Sequence, residues 1–252
     1  MNYKCTIAII TSLLLAACVS RASPIPGQKW QVSVVMPSFY PVSVTEAYGV
    51  NKEEDWTVML HNFTLFMSRS ELNNARQKLP NYDGYGLPLH PISIYRRDQI
   101  GGTNHLPDTV YIYWVSIINT QFYVTKYELE DSVKKLMSKK VSFQLPNGFV
   151  MEDCFRNELI FGLLPNGNAK VWLEGCGETI YVKELQPDQV LTHDSKGMSA
   201  DVYKNGSLLA RVKKRAEDEG MPLDPIPWDK VNKVYTLEKV KTLDEALSAS
   251  HQ

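Results

Sequence analysis

The chain has no surplus of basic residues: 27 lysines and arginines stand against 28 aspartates and glutamates. That balance withholds the positive footprint on which nucleic-acid binding depends, and no nucleic-acid partner is expected. At 44% hydrophobic and 22% charged, the 252 residues are neither the polar composition of a disordered chain nor the apolar one of a multi-span membrane protein. The usual catalytic signatures are missing too. There is no GxSxG nucleophile elbow, no HExxH, no P-loop and no glycine fingerprint after a strand. His193-Asp194-Ser195 contains the residue types of a triad, but triad members converge from separate segments, so adjacency reads as an exposed turn. His90, His105 and Asp108 lie in one loop region and read as solvent-facing rather than as metal ligands, and Glu53-Glu54 reads as surface charge. The expectation is a protein that is not an enzyme and needs no metal or cofactor.

Cysteine is scarce, with 4 in the chain, and each has its own context. Lys4 and the apolar stretch Ile7 to Leu15, too short to span a bilayer comfortably, lead into Leu15-Ala16-Ala17-Cys18. This resembles the bacterial lipobox, in which the small residues fit the lipoprotein signal peptidase and the cysteine thiol accepts the lipid. The competing reading is an ordinary cleaved signal peptide that uses the small residues near 16 to 23. Under the lipobox reading, residues 1–17 are signal, 18–28 a lipidated tether and 29–252 one periplasmic domain, leaving 252 − 17 = 235 residues. One acyl chain binds a membrane only marginally, whereas several on Cys18 would make the anchor stable. Val19, rather than an aspartate, after the cysteine favours the periplasmic face of the outer membrane.

Cys5 would leave with the signal and Cys18 would carry lipid, so Cys154 and Cys176 remain. An isolated pair in the oxidising periplasm reads as a disulfide; a reactive or metal-binding thiol is the alternative, without CxxC or Cys/His spacing to support it. The intervening residues read as a hairpin, Leu159 to Leu164 turning at Pro165-Asn166-Gly167 into Ala169 to Leu173. The count is slightly out of register and calls for a bulge. Closing such a loop contributes roughly 3 kcal/mol in the chain-entropy model.

Strand patterns dominate the first half. Trp30 to Val34 alternates, Val42 to Val44 resumes the pattern, and Trp56 to Phe66 is a longer apolar run. Ser68 with Glu71 predicts a capped helix carrying Leu72, Ala75 and Leu79 on one face, stopped by Pro80. Val110 to Val115 reads as a central strand with Phe122 to Val124 as its partner. Thr125 with Glu128 predicts a second capped helix, from about Glu128, with Leu129, Val133, Leu136 and Met137 as its stripe. Hairpins are expected about Pro146-Asn147-Gly148, and again about Asn205-Gly206 between Asp201–Tyr203 and Ser207–Ala210. A short strand is expected at Thr179 to Val182. The charged run after Arg211 reads as a solvated face, 221–228 as an extended wrap, and Thr242 with Glu245 as the cap of a last helix. The expected fold is one α+β domain, mainly antiparallel and sandwich-like, with two to four helices.

The segment from Pro80 to Pro107 has no sustained period and holds Tyr82, Tyr85, Arg96 and Arg97, types enriched at binding hot spots. These four are the candidate partner contacts. The competing reading is an extended segment whose tyrosines pack on the sheet.

Leu106 to Ser116 followed by Phe122-Tyr123, and Gly162 to Gly167 through Lys170-Val171-Trp172-Leu173, resemble an enterobacterial-type lipoprotein family catalogued as a domain of unknown function. Trp30, Pro37, Tyr40-Pro41 and Cys18 fit the same pattern. Lipoproteins of this sort are similar to immunity partners of type VI secretion phospholipase effectors. The resemblance implies a lipid-anchored inhibitor that binds such an effector, with a structural or assembly lipoprotein of the outer membrane as the alternative.

Overall fold

The computed structural model describes residues 29–60, 67–89, 95–145 and 147–249, with the backbone alone of Tyr95 and Arg96. The expected signal, tether and Cys18 anchor lie outside the described residues, as do His90, the Arg96 side chain and the Phe66 end of the expected third strand. In chain order the first strands are β1 (Gln31–Val35), β2 (Val42–Asn51), β3 (Trp56–Met59), β4 (Leu87–Pro88) and β5 (Tyr95–Arg97). Next come β6 (Thr109–Ser116), β7 (Gln121–Glu128), β8 (Val141–Gln144), β9 (Val150–Cys154) and β10 (Glu158–Leu163). The last are β11 (Ala169–Gly175), β12 (Glu178–Leu185), β13 (Gln189–Leu191), β14 (Val234–Tyr235) and β15 (Val240–Thr242). The helices are α1 (Arg69–Lys78), α2 (Asp131–Ser138), α3 (Ala200–Lys204), α4 (Ser207–Asp218), α5 (Trp228–Val231) and α6 (Leu243–Ala249).

Two large sheets carry the fold. One runs β15-β12-β11-β10-β1-β5, with β1–β10 and β12–β15 parallel and the rest antiparallel. The other, β13-β7-β6-β2-β3, is antiparallel throughout. Because side chains alternate along a strand, Val32, Val34, Leu159, Phe161, Val171 and Leu173 of the first sheet meet Val44, Ala47, Val110, Ile112 and Trp114 of the second in one buried cluster. This is the expected α+β architecture: mainly antiparallel, sandwich-like and built as a single domain. It has six helices, of which α1, α2, α4 and α6 are seven residues or longer.

The outward face of the six-stranded sheet is covered. Ile160, Leu164 and Trp172 pack beneath Phe39, Tyr40, Tyr82, Tyr85 and helix α1, and the 221–228 wrap closes over them with Met221, Leu223 and Ile226. Gly162 makes room for this layer, since a Cβ there would stand 2.8 Å from the Trp172 ring. Helix α1 starts as its sequence predicts: Ser68 Oγ accepts from Glu71 N and Glu71 reaches back to Ser68 N. The last helix is capped in the same way by Thr242 and Glu245.

Three elements depart from expectation. The second helix begins at Asp131, not near Glu128, because Thr125 is committed to β7, buried, and accepts a hydrogen bond from Trp114 Nε1 at 3.0 Å. The predicted Asn205-Gly206 hairpin is instead a helix junction. A two-residue hairpin of that type needs positive φ at both positions, whereas Asn205 is right-handed (φ −90) and Gly206 caps α4 at φ −74. What decides it is the 3.6-residue spacing of Leu209, Val212 and Ala216, with Leu209 packing against Val115, Ile117 and Phe122. The charged run lies on that helix with one member turned inward. Arg215 is buried, donates to Met67 O and Ser38 O, and lies 5.2 Å over the Phe39 ring. The Cys154–Cys176 disulfide is formed, with Cα atoms 5.6 Å apart. No bulge is needed in its hairpin: β10 and β11 pair in unbroken register, and residues 155–157, outside the ladder, absorb the offset.

Candidate functional site

Of the four candidate contacts, the two tyrosines point inward. Tyr82 and Tyr85 are 2% and 1% exposed; their hydroxyls donate to Gly86 O and Pro222 O, at 3.3 and 2.6 Å. Burial raises both phenol pKa values, so the hydroxyls stay protonated as structural donors. The reading in which these tyrosines pack on the sheet is the one the structure bears out. The Pro80–Pro107 stretch lacks a period because it wraps over a covered sheet face. Arg96 and Arg97 sit apart from them on edge strand β5, paired with Ser33 and Val32 of β1.

A different set of tyrosines gathers on the outward face of the five-stranded sheet. Tyr48 of β2 stacks on Tyr111 of β6, with ring centroids 5.2 Å apart at 27°, and on Tyr113 at 6.1 Å and 24°. The Tyr48 and Tyr113 hydroxyls are 3.4 Å apart. All three rings are half-buried, and Met59 of β3, across from Tyr48, is 39% exposed. On the opposite side Lys126 of β7 stands beside Tyr111 and pairs with Glu128 at 2.6 Å. Burial first, then the Tyr113 hydroxyl, raises the Tyr48 pKa and keeps it neutral. The platform therefore offers apolar ring faces with polar tips, framed by charge.

A bulge creates it. Between Val44 and Glu46 the β2–β6 register shifts, leaving Thr45 as the extra residue. Without that insertion strict alternation would turn Tyr48 toward the core and Ala47 outward; with it, Ala47 is buried and Tyr48 joins Tyr111 outside. The local signal in the sequence is the pair Thr45-Glu46, which breaks the alternation of Val42-Ser43-Val44. Thr45 is held in place by Ser195 Oγ, which donates to its Oγ1 at 3.0 Å.

His193, Asp194 and Ser195 do not converge. Asp194 is buried and accepts from Lys196 N, Met198 N and the Tyr203 hydroxyl, while His193 faces Thr192 and Ser195 faces Thr45. His105 Nδ1 lies 2.6 Å from Glu54 Oε1, and Asp108 accepts from Lys134 at 2.8 Å. Among the described residues, no three His, Cys, Asp or Glu side chains are grouped so that they could hold a metal ion, and no helix is long and apolar enough to cross a membrane.

Beside the platform opens a cleft of about 680 Å³, lined by Lys126, Tyr127, Glu128, Glu130 and Lys183. Burial alone would raise the Glu130 carboxyl, but hydrogen bonds from Lys183 and from the Tyr127 hydroxyl (2.7 Å) outweigh it and hold the pKa below the usual range. Glu128 is lowered by Lys126. Both carboxylates are thus ionised, the reverse of the raised pKa that suits a carboxyl to general-acid work.

A model of the family described as "Protein of unknown function (DUF2931)" matches residues 19–229. The chain belongs to the DUF2931 family. No curated protein and no solved structure matches it. The DUF2931 match takes in both sheets except β14 and β15, together with the tyrosine platform and the disulfide.

Proposed function

We propose that this DUF2931 chain is a lipid-anchored protein on the periplasmic face of the outer membrane, where it binds a protein partner through the Tyr48–Tyr111–Tyr113 face. The partner is a phospholipase effector of type VI secretion, which the chain neutralises as an immunity protein. The observation that carries the binding reading is the contact of three half-buried tyrosines on an uncovered sheet face. Tyrosine supplies large contact area with few rotors to immobilise and is enriched in binding hot spots. The anchor reading rests on Leu15-Ala16-Ala17-Cys18, and the family match beginning at residue 19 is in keeping with it. Tethering an inhibitor at the membrane its target attacks raises its effective concentration there.

The test is a competition in which cells lacking the gene, cells expressing the chain, and cells expressing Tyr111→Ala/Tyr113→Ala meet attackers that deliver such an effector. The wild-type chain is expected to protect and the double variant to fail at equal abundance. Cys18→Ser should move the protein from the membrane to the soluble fraction. Equal survival of all three strains contradicts the immunity reading, and a crosslinked resident envelope protein in unattacked cells would favour the assembly role.

A further inference from the structure

The geometry points to a second site: a cavity beside the disulfide, built by Arg156, Lys241 and Lys139, that binds a small tetrahedral oxyanion of the phosphate class. The cavity measures about 130 Å³ and is lined by Lys139, Arg156, Glu178, Lys241, Ala246 and Ala249. It is far below the ~300 Å³ at which cofactor-sized sites begin, yet roomy enough for several water-sized groups.

Three cationic side chains face one carboxylate here. Glu178 accepts from Arg156 Nε at 2.9 Å and Nη2, and also from Lys241 Nζ. One negative charge is thus shared by two positive ones. Burial alone would raise the Glu178 carboxyl, but these donors outweigh it and keep it ionised. Arg156 is the decisive residue. Its side chain is only 10% exposed, and Nη1 is buried with no hydrogen-bond partner. A guanidinium cannot shed its charge, and buried donors are rarely left without an acceptor unless a water or ion supplies one. The fork geometry of the guanidinium suits an oxyanion.

The fold holds Arg156 in place for this. The disulfide joins Cys154, two residues before it, to Cys176, two residues before Glu178. Gly175 lets the two segments close together: its φ is +147, and a Cβ there would stand 2.7 Å from Arg156 Cα. Helix α6 then covers the cavity with alanines, leaving volume where larger side chains would fill it.

The test is calorimetric titration of the full chain, purified in detergent, with inorganic phosphate at constant ionic strength. Saturable binding is expected in the wild type, weakened roughly tenfold or more in Lys241→Gln, which keeps the Arg156–Glu178 pair. Ala246→Met fills the cavity without changing charge and should abolish binding while circular dichroism stays native; should Lys241→Gln misfold, this variant carries the test. Glycerol 3-phosphate distinguishes the source of the anion: equal binding means a phosphomonoester presented by a larger molecule, and loss of binding means the free ion. No saturation by about 10 mM phosphate, or equal binding by the wild type and Ala246→Met, overturns the proposal.

Discussion

Each large sheet of the sandwich turns one face to the shared core, but their outward faces are finished differently. On the six-stranded sheet Trp172, 1% exposed, lies edge-on to Tyr181 at 5.9 Å beneath the aromatic layer and the wrap. On the five-stranded sheet α3 and α4 cover only the end near Phe122 and Val115, and the Tyr48–Tyr111–Tyr113 stack has no such cover. Both faces are aromatic. One is part of the core, while the other keeps its rings half-exposed with hydroxyls outward, as a surface for another molecule would. Aromatic content alone does not separate the two roles; what lies above the rings does.

The contrast has measurable consequences. Trp172→Ala should cost about 3–5 kcal/mol, because it empties a fully enclosed site; urea denaturation checks it, and a loss near that of a surface substitution would erase the distinction. Asp194→Asn should cost about 1–3 kcal/mol, since the side chain anchors the turn ahead of α3 through two backbone N–H groups and Tyr203. Burial tends to raise the Asp194 pKa, but the Tyr203 hydroxyl and those N–H groups outweigh it and lower the value. The folded value therefore lies below the unfolded one, so this stabilisation is complete above about pH 4 and fades as pH falls through the folded value. Stability of Asp194→Asn measured between neutral and acid pH should correspondingly lose part of the wild-type slope. Tyr111→Ala should cost least, about 1 kcal/mol or below in thermal unfolding, because its ring already borders solvent. A much larger loss would mean that the open face is structural.

The sequence made some of this legible and hid the rest for identifiable reasons. Helix α1 was readable because its cap is local: Ser68 and Glu71 satisfy each other's backbone within one turn. Val110 to Val115 declared a central strand, and Cys154 and Cys176 were found as a pair by elimination. Asn205-Gly206 misled because that dipeptide favours a turn until Leu209 and Val212 find a sheet to bury against, which is a tertiary matter. The inward turn of Tyr82 and Tyr85 depends on the distant wrap, through Pro222 O. The tyrosine platform was hidden for a related reason. Tyr111 and Tyr113 are visible two apart on β6, but Tyr48 reaches their face only through the bulge at Thr45, and a bulge belongs to the pairing of two strands.

The central claim, that the open tyrosine face is where a partner docks, is tested most directly by site-specific photocrosslinking in intact cells. A crosslinker is placed at position 111, with a comparison at Phe149, 63% exposed on the β8–β9 hairpin. The account predicts one discrete protein adduct from position 111 that disappears when Tyr48 and Tyr113 are also changed to alanine, and none from position 149. An adduct at 149 with none at 111, or one at 111 that survives loss of the other two rings, would contradict it.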